Sequence, residues 1–179
     1  MNKKFELNTE IKKAVAQALF ILLKNKSLNE ITICELVNKA GIARASFYRN
    51  FKSKEEVIHF YLKDILNAYK DKYAADLAHI ARYENIVKTF KYVLFHRFEL
   101  ECLFEAKLGQ ILLEEINAYI IIGSGLENEK SILKYPFYSY AGALYNVIHY
   151  WITSGCKESS EEIAKAFFNS FHINKNTLV

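Results

Sequence analysis

An all-α fold is what this 179-residue sequence predicts, and three observations carry that prediction. The first is the scarcity of chain breakers. Six Gly and one Pro are about 4% of the chain, against about 12% in an average protein. Hairpins, Greek keys and Gly-rich phosphate loops all use these residues. A sandwich, a barrel or a nucleotide-binding α/β fold is therefore disfavoured. The second is an ordinary globular balance of 51% hydrophobic and 25% charged residues, which argues against disorder. The third is apolar spacing at the helical period along the whole chain, giving about nine helices and no convincing strand. Aromatic residues reach 15%, with 13 Phe, 12 Tyr and one Trp. That predicts large helix contacts, a lined cavity, or both.

The first helix is expected over residues 10–24, where Ile11, Val15, Leu19, Leu22 and Leu23 recur and Asn8 or Thr9 is placed to cap. Residues 25–29 break the pattern. Thr32-Ile-Cys-Glu35 reads as a capping box opening a second helix, whose apolar side is Cys34, Leu36, Val37 and Ala40. Cys34 is read as a small buried hydrophobe. Gly41 follows as a left-handed terminator. A third helix starts near Ala43 and runs to about Asn50, and so tight a turn between short helices is the helix-turn-helix pattern.

Ser53-Lys-Glu-Glu56 reads as a second capping box, opening a long helix to about Tyr73. Ile86, Phe90, Val93 and Leu94 mark the next helix, and His96-Arg97 a break. Short helices are expected from Glu99 to Lys107 and from Gln110 to Ile122, with Gly123-Ser-Gly125 ending the latter. Pro136 is placed at a first helical position, where proline is tolerated. That helix carries Phe137, Ala141, Leu144, Tyr145, Ile148 and Ile152 on one face. A third capping box, Ser159-Ser-Glu-Glu162, opens the last helix, with Ile163, Ala166, Phe167 and Phe171. Residues 173–179 read as a frayed tail.

Charge is uneven. Residues 1–60 hold 11 Lys+Arg against 6 Asp+Glu, whereas residues 61–179 hold 13 against 14. A basic segment on a neutral body suggests an anionic partner for that segment. The third helix fits this. Ile42, Phe47 and Phe51 pin one side of it, leaving Arg44, Ala45, Ser46, Tyr48 and Arg49 on the other. Small residues at 45 and 46 allow close approach to a major groove, Arg44 suits a forked contact to guanine, and Tyr48 and Arg49 suit phosphates. The helix N-termini at Thr32 and Ser53 offer N–H groups, with Lys54 adding a cation.

The run from Ile31 to Val57 resembles the DNA-binding signature of the TetR/AcrR transcriptional regulators. Thr32, Leu36-Val37, Ala40-Gly-Ile42, Phe47-Tyr48, Phe51 and Lys52-Ser-Lys-Glu55 agree with it in register. Ala141-Gly-Ala-Leu144 and Trp151-Ile-Thr-Ser-Gly155, with the capped final helix, resemble the C-terminal region of Firmicutes-type members. The resemblance implies that Thr32, Tyr48 and Lys54 hold the DNA backbone and that Arg44, Ala45, Ser46 and Arg49 meet the groove. It departs at Ala43, where most members cap the recognition helix with Ser or Thr. It also implies residues 1–54 as a DNA-binding domain and 55–179 as a helical regulatory and dimerisation domain. A homodimer on a palindromic operator is expected, repressing until a small-molecule effector binds. The alternative is a co-activator whose C-terminal domain binds a partner protein. The expected dimer contacts are Phe137, Ala141, Gly142, Leu144, Tyr145, Ile148, Ile163 and Phe167.

Other chemistries lack support. His59, His79, His96, His149 and His172 form no metal or protease motif, and no phosphate loop or nucleophile elbow occurs. No enzyme activity, cofactor or metal is expected. Cys34, Cys102 and Cys156 are widely spaced, which suggests reduced thiols and a cytoplasmic protein. Residues 135–156 carry no Asp, Glu, Lys or Arg. Ser139, Asn146, His149, Thr153 and Ser154, with Pro136, suit a helix buried against other helices, not a membrane span. Tyr83, Phe90, Phe95, Phe98, Phe104 and Tyr119 are the aromatics that suit a cavity, with core packing as the other reading, so no ligand contact is assigned.

Overall fold

The computed structural model describes residues 3–73 and 79–171. Among them are nine helices and no strand: α1 (Lys3–Leu23), α2 (Ile33–Ala40), α3 (Arg44–Asn50), α4 (Lys54–Tyr73), α5 (Tyr83–Phe95), α6 (Arg97–Glu105), α7 (Gly109–Gly123), α8 (Ser131–Thr153) and α9 (Ser160–Ser170). The expected tail lies outside the described residues.

Two helices begin earlier than their sequence signals suggest. The first starts at Lys3, so Asn8 and Thr9 lie inside it and not at its start. The eighth starts at Ser131, with Lys130 at its cap, and Pro136 sits inside it. A proline this close to the N-terminus removes one N–H from the ladder, aimed at the carbonyl four residues back. The helix continues because its later turns bury Tyr140, Ala141, Leu144, Ile148, Trp151 and Ile152.

The caps divide in an instructive way. Ser159 and Glu162 form a complete reciprocal capping box on α9. At α2, Thr32 Oγ1 accepts from Glu35 N at 3.1 Å, but the Glu35 carboxylate pairs with Lys26 at 2.6 Å. At α4, Ser53 Oγ accepts from Glu56 N, while the Glu56 carboxylate accepts from Lys52 N at 2.7 Å. These two are half-boxes, each carboxylate taking a different donor.

Helix α1 packs on α2, α3, α4 and α6. Its Val15, Leu19 and Phe20 are buried with Leu36, Val37, Phe47, Phe51, Val57 and Ile58. Cys34, by contrast, is exposed, because Leu36 and Val37 already fill the buried side of α2. The body pairs α5 with α9 and α7 with α8. Phe90 sits edge-on to both Trp151 and Phe167, at 5.7 and 5.8 Å between ring centroids. Trp151 Nε1 donates to the Glu158 carbonyl at 3.1 Å, tying the end of α8 to the loop before α9. Gly109 is one of three glycines, with Gly123 and Gly142, that do not adopt a left-handed torsion. A Cβ there would lie 2.6 Å from the Tyr145 hydroxyl, so its absence lets α7 approach α8.

Four of the expected dimer contacts are corrected by this packing. Ala141, Leu144, Ile148 and Phe167 are buried within the protomer itself. The apolar face of α8 recognised from the sequence is real, but it faces the chain's own core. Phe137, Gly142, Tyr145 and Ile163 are only partly buried, and nothing lies within 4 Å of a Cβ built on Gly142. No helix of the described residues is long and apolar enough to cross a membrane.

Candidate functional site

The short third helix cannot hold itself together in isolation; its neighbours hold it. Gly41 adopts φ +68°, and its N–H and that of Ile42 return to α2 carbonyls, the N–H of Ile42 to Val37 at 3.0 Å. That left-handed residue turns the chain sharply enough to set α3 across α2. Phe47 is fully buried and Phe51 nearly so, and Ile42 is half-buried. This fixes which side of α3 faces out. Arg44, Ala45, Tyr48 and Arg49 are exposed and Ser46 is half-exposed, as the sequence periodicity predicts.

The outward side chains are ordered against one another. Arg44 Nη2 donates to the Tyr48 hydroxyl at 3.2 Å, and its guanidinium lies 5.5 Å from the Tyr48 ring centroid. Arg49 Nη2 donates to Ser46 Oγ at 2.9 Å. Asn50 donates to the Ser46 carbonyl at 2.8 Å. The surface therefore presents two guanidinium groups, each held by a neighbour one turn away, beside the small Ala45. Ala43 stands at the cap of α3 in extended backbone and offers no side-chain hydrogen bond. Thr32, at the cap of α2, is exposed.

Lys54 is placed differently from the sequence expectation. Its ammonium donates to the carbonyl of Leu28 and, at 2.6 Å, to that of Ile31. Both carbonyls belong to the loop between α1 and α2. Lys54 is thus a pin that fastens the first turn of α4 to that loop, half-buried and already coordinated. The sequence shows a cation in a first turn; it does not show that acceptors more than twenty residues upstream come to meet it.

A second feature connects this end of the molecule to the body. Glu115 of α7 is buried, and its carboxylate accepts from His59 Nδ1 at 2.6 Å with Lys63 Nζ 3.7 Å away. His59 and Lys63 lie on α4, just beyond the helix-turn-helix. No sequence motif marks this clamp, because its partners are 56 residues apart.

Further along α4 and α7 lies a cavity of about 100 Å³. Ile65, Leu66, Tyr69 and Tyr73 of α4 line it, with Tyr92 and His96 near the end of α5, Leu112, Ile116 and Tyr119 of α7, and Leu144 and Ile148 of α8. Of the six aromatics considered for such a cavity, only Tyr119 lines it. Phe90 and Phe104 are core, Tyr83 packs on Phe168, and Phe95 and Phe98 are exposed. The cavity wall is instead tyrosine from α4 and α5. Burial pushes the Tyr119 hydroxyl up to about 12 and holds His96 below its ordinary value. Among the described residues, no cluster of His, Cys, Asp and Glu is arranged to hold a metal.

Comparison with known proteins follows the same division. Residues 17–59, which span the end of α1 through the start of α4, match the family model of the bacterial regulatory proteins, tetR family. Among curated proteins, none matches the sequence significantly. Solved structures match over nearly the whole chain. One is a TetR transcriptional regulator from Streptococcus agalactiae, 16% identical, covering 93% of this chain and 96% of that one, with a TM-score of 0.63. Another, from Rhodococcus sp. RHA1, is 14% identical, covers 96% and 98%, and has a TM-score of 0.60. The dihydroxyacetone kinase operon activator DhaS is 15% identical, covers 90% and 94%, and has a TM-score of 0.60. At such identity these proteins, named as regulators, establish a shared fold. The chain therefore carries the N-terminal domain of the bacterial regulatory proteins of the tetR family, on an all-helical fold shared with TetR regulators along its length.

Proposed function

We propose that this chain is a homodimeric DNA-binding transcriptional regulator, a repressor released from its operator by a small molecule. The observation that carries this reading is the outward face of α3. It offers Arg44, Ala45, Tyr48 and Arg49 to solvent while Phe47 anchors the opposite side. In the proposal, α3 enters the major groove, with Arg44, Ala45, Ser46 and Arg49 against base edges and nearby phosphates. Thr32 and Tyr48 hold the backbone. Lys54 contributes indirectly, by fixing the loop against α4. Residues 1–54 would form the reading domain and residues 55–179 the regulatory one.

One recognition helix of seven residues gives little specificity, and pairing two on a palindrome supplies it. The partly exposed Phe137, Gly142, Tyr145 and Ile163 support pairing through α8 and α9. The largely apolar cavity supports a small effector over a protein partner, which a charged groove would suit better. One protein of similar fold is the dihydroxyacetone kinase operon activator DhaS, so activation is the alternative sign of regulation.

The test is Tyr48→Ala. The substitution removes the group that holds Arg44 in place and a candidate phosphate contact, so operator affinity should fall about tenfold or more. Sedimentation should still show the native oligomer. Unchanged DNA binding removes Tyr48 from the interface.

A further inference from the structure

The cavity wall carries information about what fits inside, an inference that rests on the reading of the body as an effector-binding domain. Among the described residues, no Lys, Arg, Asp or Glu lines the cavity. Most of its polar groups already have partners. The Tyr69 hydroxyl bonds Thr89 Oγ1 at 2.9 Å, and the Tyr92 hydroxyl donates to the Ile65 carbonyl at 2.8 Å. Asn85 donates to the His79 carbonyl at 2.9 Å, and His96 Nδ1 bonds the Tyr61 hydroxyl at 2.9 Å. Tyr119 differs. Its hydroxyl is buried and, among the described residues, has no hydrogen-bond partner.

Each class of ligand meets this wall differently. A carboxylate would lose hydration with no cation among the described lining residues to replace it, and would also face the negative charge of Asp71 near Tyr119. Burial keeps His96 below its ordinary value, so the imidazole supplies no cation at neutral pH. A purely apolar ligand would gain the hydrophobic contact but leave the Tyr119 hydroxyl unpaired. A molecule with one oxygen satisfies both walls. The free space of about 100 Å³ has room for roughly seven to ten water-sized groups.

We propose that the cavity binds an uncharged, predominantly apolar molecule of single-ring size, whose one hydrogen-bonding oxygen pairs with the Tyr119 hydroxyl. Tyr119 is thereby the residue that selects an oxygen-bearing ligand from its hydrocarbon analogue.

Calorimetry on the full chain with three probes of one shape tests this: p-cresol, p-xylene and 4-methylbenzoate. The native protein should bind p-cresol about tenfold more tightly than p-xylene, and 4-methylbenzoate more weakly still. Tyr119→Phe should bring p-cresol to the affinity of p-xylene without lowering the melting temperature of the ligand-free protein. If that variant fails to fold, the ranking of the three probes on the native chain still decides. Binding of 4-methylbenzoate as tight as p-cresol overturns the proposal, as does a native chain that binds none of the three. An undiminished p-cresol preference in Tyr119→Phe overturns it equally. Fluorescence anisotropy on duplex DNA separates this from failure of the regulatory reading. Probes that bind in the stated order yet leave DNA binding unchanged refute the effector role and leave the ligand chemistry standing. No probe binding, with DNA binding retained, refutes the ligand chemistry alone.

Discussion

Lys54→Met separates two roles for one lysine. The substitution keeps most of the aliphatic stem and removes the ammonium. In the structure that ammonium donates to the carbonyls of Leu28 and Ile31. Hydrogen bonds to a charged group contribute about 1.5–3 kcal/mol each. Lys54 is half-buried, and water can replace part of what is lost, so the pair is worth about 2–3 kcal/mol together. For a chain of this size each kcal/mol moves the melting temperature by about 2–4 °C. Lys54→Met should therefore melt about 4–12 °C lower, measured by thermal denaturation and checked by urea unfolding. Its DNA binding, measured well below the melting point, should keep the native salt dependence. The opposite outcome refutes the pin: unchanged stability, with a log–log salt slope shallower by about two for a dimer, marks Lys54 as a phosphate contact.

Two further outcomes follow from the same geometry. Ala43→Ser supplies the missing cap on α3, and should add about 1 kcal/mol and raise the melting temperature by about 2–4 °C; an unchanged or lower value means that the extended Ala43 backbone does not present a side-chain oxygen to the first turn. His96 gives a pH dependence. Burial lowers its folded value from the ordinary 6.5, so the unfolded chain takes up a proton that the folded chain does not. Stability is full above about pH 6.5 and falls as pH drops from there toward the folded value. Urea midpoints between about pH 5 and 7.5 should show this slope in the native protein and a flatter one in His96→Gln. Carboxylates held low, such as Glu55, act only below their ordinary 4.5. An equal slope in both proteins would remove His96 as its source.

The recognition surface was legible because local chemistry determines it. Gly41 requires a left-handed turn, Phe47 and Phe51 require burial, and the helical period then assigns Arg44, Ala45, Tyr48 and Arg49 to the outside. Helix count and order were legible for the same reason, since caps and breaks are local. What escaped depends on which elements meet. The apolar face of α8 reads the same whether it packs on its own core or on a second subunit, and the structure assigns Ala141, Leu144 and Ile148 to the former. Pro136 permits a helix start without demanding one, and here the helix starts at Ser131. The Glu115–His59 clamp and the Lys54 pin join residues distant in sequence, so no spacing announces them. Aromatic content alone could not divide core from cavity; the structure puts Phe90 and Trp151 in the core and Tyr69, Tyr92 and Tyr119 on the cavity wall.

The central claim is that the exposed face of α3 is an electrostatic and groove-reading surface for DNA. Its most direct test is the salt dependence of affinity for a duplex selected by the protein from a random-sequence pool. Arg44 and Arg49 of each subunit correspond to about four neutralised phosphates in a dimer. The log of the binding constant should then fall with the log of salt concentration at a slope of about −4. A flat salt response, or no duplex selected at all, would contradict the account.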